Sequence, residues 1–176
     1  MTTPLPFPVF GVAGFKNSGK TTLVTRIVQE LSDRGYAVST IKHAHHGFDL
    51  DKPGRDSFLH RNAGAQEVAI ISNSRWALMR ELRGAEEPVF RDVLSKLSPC
   101  DVVIVEGYKM EDHPKIELRL AGSERRPLAP EDPTIVAIAS DEPISDEHLP
   151  CFERNRVRDI ADFIVTHLEL GAPSVS

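Results

Sequence analysis

The chain has 176 residues, 40% hydrophobic and 27% charged, which is enough apolar material for one sizeable core and too little length for two ordinary domains. Its 21 Lys and Arg against 26 Asp and Glu leave a net charge of −5, which argues against nucleic acid as a partner, because phosphate neutralisation needs a basic face. No apolar run approaches the roughly 20 residues of a membrane span, and Cys100 and Cys151 offer neither a disulfide framework nor a metal-ligand spacing. Both cysteines read as buried free thiols, with a reducing cytoplasm as the simplest compartment. Met1 to Pro6 carry no basic region ahead of an apolar stretch and do not read as a secretory signal.

Residues 1–7 read as a loose start. Val9 to Ala13 is a short apolar run bounded by glycine, hence a buried strand. From Lys20 to Arg34 the residues Leu23, Ile27, Val28 and Leu31 keep helical spacing, and Gly35 stands where a helix end wants a left-handed residue. Tyr36 to Ile41 is a second strand, completing a βαβ unit. Lys42 to Gly54 is a long polar loop, a length that in compact domains points to function. Arg55 to Asn62 predicts a short helix ending at Gly64. Glu67 to Ser72 and Trp76 to Glu81 predict two strands joined by a turn. Pro88 opens a helix with Phe90, Val93, Leu94 and Leu97 on one face. Val102 to Val105, the most hydrophobic run, belongs at the centre of a parallel sheet. Lys115 to Leu120 and Ile135 to Ala139 are further strands, with a charged, proline-rich loop over Ser123 to Pro133. Val157, Ile160, Ile164 and Leu168 mark a last helix ended by Gly171. The alternation predicts an α/β three-layer fold with a mostly parallel sheet flanked by helices, plus extra antiparallel strands, in one domain over residues 1–176 with a loose 171–176 end.

Gly14-Phe15-Lys16-Asn17-Ser18-Gly19-Lys20-Thr21 matches G-x-x-x-x-G-K-[ST] between a predicted strand and a predicted helix, the setting of a phosphate-binding loop. Its glycines let the backbone wrap an anion, successive N–H groups point inward, and the helix adds its positive dipole end. Lys20 would reach the β- and γ-phosphates, the Thr21 hydroxyl would ligate Mg²⁺, and Thr22 follows in the first turn. Lys16 stands one position beyond the place where some such loops carry a lysine that reaches a partner subunit's nucleotide, and that role is not assigned to it.

Such a site needs an acid at the C-terminal end of a neighbouring strand. Asp101 begins the central strand and Glu106 ends it, roughly 16 Å apart at about 3.3 Å per residue. Glu106 is therefore the metal-side acid, Asp101 caps the strand start, and Gly107 lets the backbone approach the nucleotide. The loop Lys42-His43-Ala44-His45-His46-Gly47-Phe48-Asp49-Leu50-Asp51 has three readings. It supplies Asp49 or Asp51 to Mg²⁺ or its waters, it binds an anion through Lys42 and the histidines, or it holds a transition metal on His43, His45 and His46.

Taken together, these segments resemble the MobB family of molybdopterin-guanine dinucleotide biosynthesis adaptor proteins. The resemblance rests on Gly14–Thr22, Lys42–Asp51, Gly54-Arg55-Asp56-Ser57, His60–Ala65, Val105-Glu106-Gly107-Tyr108-Lys109 and Pro114-Lys115-Ile116-Glu117-Leu118. It implies a P-loop fold that binds GTP with Mg²⁺, weak GTPase activity, assistance to the enzyme that joins guanosine monophosphate to molybdopterin, and a homodimer formed by strands outside the nucleotide core. Molybdopterin itself is a further candidate ligand. Arg55 replaces the family's usual lysine and keeps a cation; it is also the one nameable arginine finger. The Asn-Lys-x-Asp guanine motif is missing, since Asn155 to Asp159 is out of register and Asp159 reads as a first-turn helix acid. Asp141, after the strand Ile135–Ala139, could accept the guanine N1–H and N2 amino group.

Lys109, Lys115 and Arg119 are a candidate basic edge for the pterin phosphate or the partner enzyme. Trp76 and Met79 read as packing or dimer contacts. Two rival functions remain open: an ATP-dependent small-molecule kinase or ligase, and a nickel or zinc metallochaperone GTPase built on the loop histidines.

Overall fold

The computed structural model describes residues 5–44, 47–48, 50–123, 125–144 and 148–174. Two compact units share the chain, residues 44–89 and the two flanking segments together.

In the larger unit six strands run parallel: β1 (Val9–Ala13), β2 (Val38–Lys42), β5 (Val102–Glu106), β6 (Lys115–Arg119), β7 (Ile135–Ser140) and β8 (Cys151–Glu153), in the order β2-β5-β1-β6-β7-β8. The strand order reverses across β1, which has β5 on one side and β6 on the other, and α/β sheets place their ligands at such a reversal, beyond the carboxyl ends of the strands. The two faces of the sheet are apolar in alternation, as a parallel sheet covered on both sides requires. Val102 and Ile104 pack with Phe10, Val12, Leu23, Ile27 and Ile160 under helices α1 (Lys20–Asp33) and α4 (Val157–His167). Val103 and Val105 pack on the other face with Val9, Ile41, Phe90 and Leu94 of the single-turn helix α3 (Phe90–Leu94).

The smaller unit holds helix α2 (Asp56–Asn62) and the antiparallel pair β3 (Glu67–Ile71) and β4 (Trp76–Arg80), registered Glu67 against Arg80 and Ile71 against Trp76. Ser72 Oγ closes the turn by accepting the N–H groups of Ser74 and Arg75. One face of the pair turns Val68 inward, while Ile71, Trp76 and Leu78 on the other face are exposed, Trp76 at 71%.

The α/β layering, the parallel sheet and the separate antiparallel pair match the reading of the sequence, with several local corrections. The strand Cys151–Glu153 escaped notice because three residues are too short to show a period. Cys151 is exposed and Cys100 only partly covered, rather than both buried. The helix begun at Pro88 is one turn long. The last helix ends at His167, with Glu169 in the left-handed region (φ 50°), rather than at Gly171. Trp76 does not pack within its own unit's core. Lys115 forms no basic edge: it is 1% exposed, bonded to Glu111 O and the Thr134 hydroxyl, with Asp132 at 3.8 Å. Asp101 caps the start of β5 as expected, accepting from the Ala37 N–H at 2.7 Å and from Ser174.

Candidate functional site

The loop between β1 and α1 is shaped by steric necessity. Gly14 has φ +151°, and a Cβ there would stand 3.0 Å from Leu118 O and 2.9 Å from Ser18 Oγ. Gly19 has φ +86° and opens α1 without a side-chain cap or an acidic residue in the first turn. A helix start left uncapped and free of negative charge favours an incoming anion. Phe15 is half-buried, Lys16 and Asn17 are exposed, and Ser18 is buried. Ser18 Oγ finds no hydrogen-bond partner among the described residues. Lys20 Nζ folds back to donate to Phe15 O at 2.6 Å, so its ammonium lies over the mouth of the loop. Burial holds that ammonium below the usual lysine value, opposed by Glu106 and reinforced by Lys109 and Lys42.

The register of the sheet decides which acid meets the loop. Glu106 lies opposite Val12 of β1 and Lys42 of β2, at the carboxyl end of all three strands. Thr21 Oγ1 donates to the Glu106 carboxylate at 3.0 Å, and Lys42 Nζ stands 3.2 Å from Glu106 Oε1 and 3.4 Å from Thr21 Oγ1. A hydroxyl and a carboxylate converging on one point form a hard-oxygen pair of the kind that suits Mg²⁺. The Lys42 side chain is 60% exposed and can swing clear of them. After Glu106 the chain passes through two left-handed residues, Gly107 (φ 96°) and Tyr108 (φ 48°). The close approach that Gly107 permits is to His43, whose Cβ would lie 3.0 Å from an added Cβ. The Tyr108 ring then lies 4.6 Å from the His43 ring and 4.7 Å from Phe90.

On the other side of the loop, Asp141 follows β7 and pairs with Arg154 Nε at 2.8 Å. A cavity of about 190 Å³ opens there, lined by Arg26, Ser140, Asp141, Glu153, Arg154 and Asn155. Arg154 reaches back to the loop, its Nη1 lying 3.2 Å from where a Cβ on Gly19 would stand.

A family model described as molybdopterin guanine dinucleotide synthesis protein B, MobB, matches residues 9–141. The chain belongs to the MobB family. It is 37% identical to the molybdopterin-guanine dinucleotide biosynthesis adapter protein of Escherichia coli (strain K12), over 92% of this chain and 94% of that protein. It is 38% identical to the protein of the same description from Haemophilus influenzae, over 89% and 87%. A crystal structure of molybdopterin-guanine biosynthesis protein B superposes with a TM-score of 0.67 at 28% identity, over 90% of this chain and 99% of that one.

Within this MobB member the segments Gly14–Thr22, Val105–Lys109 and Pro114–Leu118 meet because β5, β1 and β6 are adjacent. Thr22 is exposed on α1. Asp51 has another engagement: in the smaller unit its Oδ1 receives Arg61 Nη2 at 2.6 Å, and Arg61 also holds Glu81 at 2.8 Å. Hydrogen bonding to Arg61 holds the Asp51 carboxyl below the usual aspartate range. Arg55 is exposed before α2. Asp49, His45 and His46 lie outside the described residues, and among the described residues no group of three His, Cys, Asp or Glu is arranged to hold a metal. Sequence reasoning passed over Arg154 and weighed Asn155 only within an out-of-register guanine motif, because the short strand that carries them to Asp141 has no period of its own. Lys42 was legible only as one cation in a histidine-rich loop.

Proposed function

We propose that this chain binds GTP with Mg²⁺ and serves as an adapter in molybdopterin guanine dinucleotide biosynthesis, assisting the guanylyltransferase that joins guanosine monophosphate to molybdopterin. The observation that carries the nucleotide reading is the convergence of the Gly14–Gly19 backbone, Lys20, Thr21 and Glu106 at the carboxyl end of β1 and β5. The adapter role is supported by the family and by the full-length match to proteins of that description.

In this reading the loop N–H groups and the α1 terminus hold the β-phosphate. Lys20 exchanges its bond to Phe15 O for the β- and γ-oxygens. Thr21 Oγ1 and Glu106 would hold the metal, with the exposed Lys42 side chain displaced from them; Mg²⁺ there would neutralise charge on the phosphate oxygens. Asp141 turns from Arg154 to the guanine N1–H and N2 amino group, an edge that adenine does not offer, with Asn155 beside it in the same cavity. Hydrolysis is slow, because Lys20 is the one described cation hydrogen-bonded to the loop. The exposed face of Ile71, Trp76 and Leu78 is suited to a second copy of the chain.

The test is calorimetric titration with GTP and with ATP, both with Mg²⁺, for the parent, Lys20→Ala and Asp141→Asn. GTP preference, abolished by the first variant and relaxed by the second, is expected. A preference for ATP would overturn the guanine assignment and favour a small-molecule kinase.

A further inference from the structure

A second and larger cavity, about 600 Å³, opens beside the phosphate loop, lined by Phe15 to Ser18 of the loop, by Glu117 to Ser123 and by Arg125, Arg126 and Pro127. Lys20, Thr21, Glu106 and Asp141 do not line it. It shares the loop residues Phe15 to Ser18 with the phosphate site and extends from them to side chains other than Lys20, Thr21, Glu106 and Asp141.

The cavity is basic in an acidic chain. Lys16, Arg125 and Arg126 are exposed on its wall, and among the described residues no carboxylate forms an ion pair with any of the three. Glu117, the one acid among the described lining residues, is 2% exposed, and its charge is already engaged. It accepts the N–H groups of Leu128 at 2.7 Å and Ala129 at 3.0 Å, and Arg119 Nη2 at 2.9 Å. Those bonds tie the far end of the arginine-bearing loop to β6, so the wall is held in place rather than merely draped. The Phe15 ring, at the junction of the two sites, carries Arg125 Cζ at 4.9 Å and Lys109 Nζ at 5.2 Å. Arginine offers phosphate a planar fork and offers a flat heterocycle its face. A volume of this size suits a small molecule rather than a lone anion.

We infer that this cavity binds a second ligand alongside the nucleotide, a phosphate-bearing planar heterocycle held by Arg125, Arg126 and Lys16. That the heterocycle is a pterin rests on the adapter reading; that it is anionic and held by side chains other than Lys20, Thr21, Glu106 and Asp141 rests on the cavity's lining.

The test uses 6-hydroxymethylpterin pyrophosphate, whose own fluorescence reports binding, with unphosphorylated 6-hydroxymethylpterin as the control, each titrated with and without saturating Mg²⁺-GTP. The proteins are the parent, the exposed-loop double variant Arg125→Glu/Arg126→Glu and Lys20→Ala, each checked for folding by its thermal midpoint. Expected are binding that persists with GTP present, at least tenfold weaker binding of the unphosphorylated control, a loss of at least tenfold in the double variant, and retention in Lys20→Ala. Absence of binding in the parent, unchanged binding in the double variant, or competition by GTP together with loss in Lys20→Ala would each overturn the inference. The same samples titrated with GTP alone separate the two proposals: failure there, with pterin binding kept, refutes the nucleotide reading and leaves the cavity's assignment standing.

Discussion

His113 sets an acid limit on the stability of this fold. The residue precedes β6, is 3% exposed, stacks on Phe90 at a centroid distance of 5.3 Å, and has both ring nitrogens unpaired among the described residues. Burial, with the nearby Lys115 ammonium, lowers its pKa from 6.5 to about 4, against a smaller opposing effect of Asp132. The sign follows from proton counting. As pH falls below 6.5 the unfolded chain takes up a proton that the folded chain refuses until about pH 4, so stability is lost through that window and is level above it. With those two values the population ratio at pH 5 is about 30, or about 2 kcal/mol lost relative to neutrality, rising to about 3 kcal/mol at pH 4. Urea unfolding of the parent and His113→Leu between pH 7.5 and 4.5 reads this directly. Leucine has a comparable volume and no proton to gain, so its stability should fall by about 2 kcal/mol less than the parent's between pH 7 and pH 5. Parallel stability curves for the two proteins would show that His113 accommodates its charge in the fold and would refute the reasoning.

Lys20→Ala should weaken nucleotide binding by at least about tenfold, the loss of one or more charge-assisted bonds, with an unchanged thermal midpoint, read by calorimetry. Glu106→Gln should leave folding intact and blunt the Mg²⁺ dependence of nucleotide affinity, since the Thr21 hydroxyl loses its anionic neighbour; equal Mg²⁺ dependence in variant and parent would remove Glu106 from the metal. Glu117→Gln should cost about 3 kcal/mol in urea unfolding, because it leaves the Arg119 guanidinium against a neutral amide and sets an NH₂ group against backbone donors. The proposed self-association through the exposed apolar face of the β3–β4 pair predicts that Trp76→Glu shifts sedimentation toward the monomer while leaving GTP affinity unchanged; equal sedimentation of variant and parent would remove that face from any such contact.

Local chemistry made much of this protein legible from its residues in order. The loop Gly14–Thr21 declares itself because Gly14 and Gly19 take backbone angles that disfavour a side chain, and because a lysine and a hydroxyl follow at the spacing a phosphate loop needs. The choice of Glu106 over Asp101 needed no more than strand length, since one end of a strand faces the loop and the other does not. The parallel sheet followed from apolar runs alternating with amphipathic helices. Tertiary structure decided what depends on register and burial. Lys115 looks like any surface lysine in a list of cations, yet it is buried because β6 sits between β1 and β7, and Thr134 and Asp132 reach it only through that pairing. Asp51 reads as a metal acid beside histidines until Arg61, ten residues on, claims it. The cavity walled by Arg125 and Arg126 exists because Glu117 draws the backbone at Leu128 and Ala129 onto β6. A sequence shows which groups can bind a phosphate or a proton; which of them share a wall is set by strand order, and that is a property of the whole sheet.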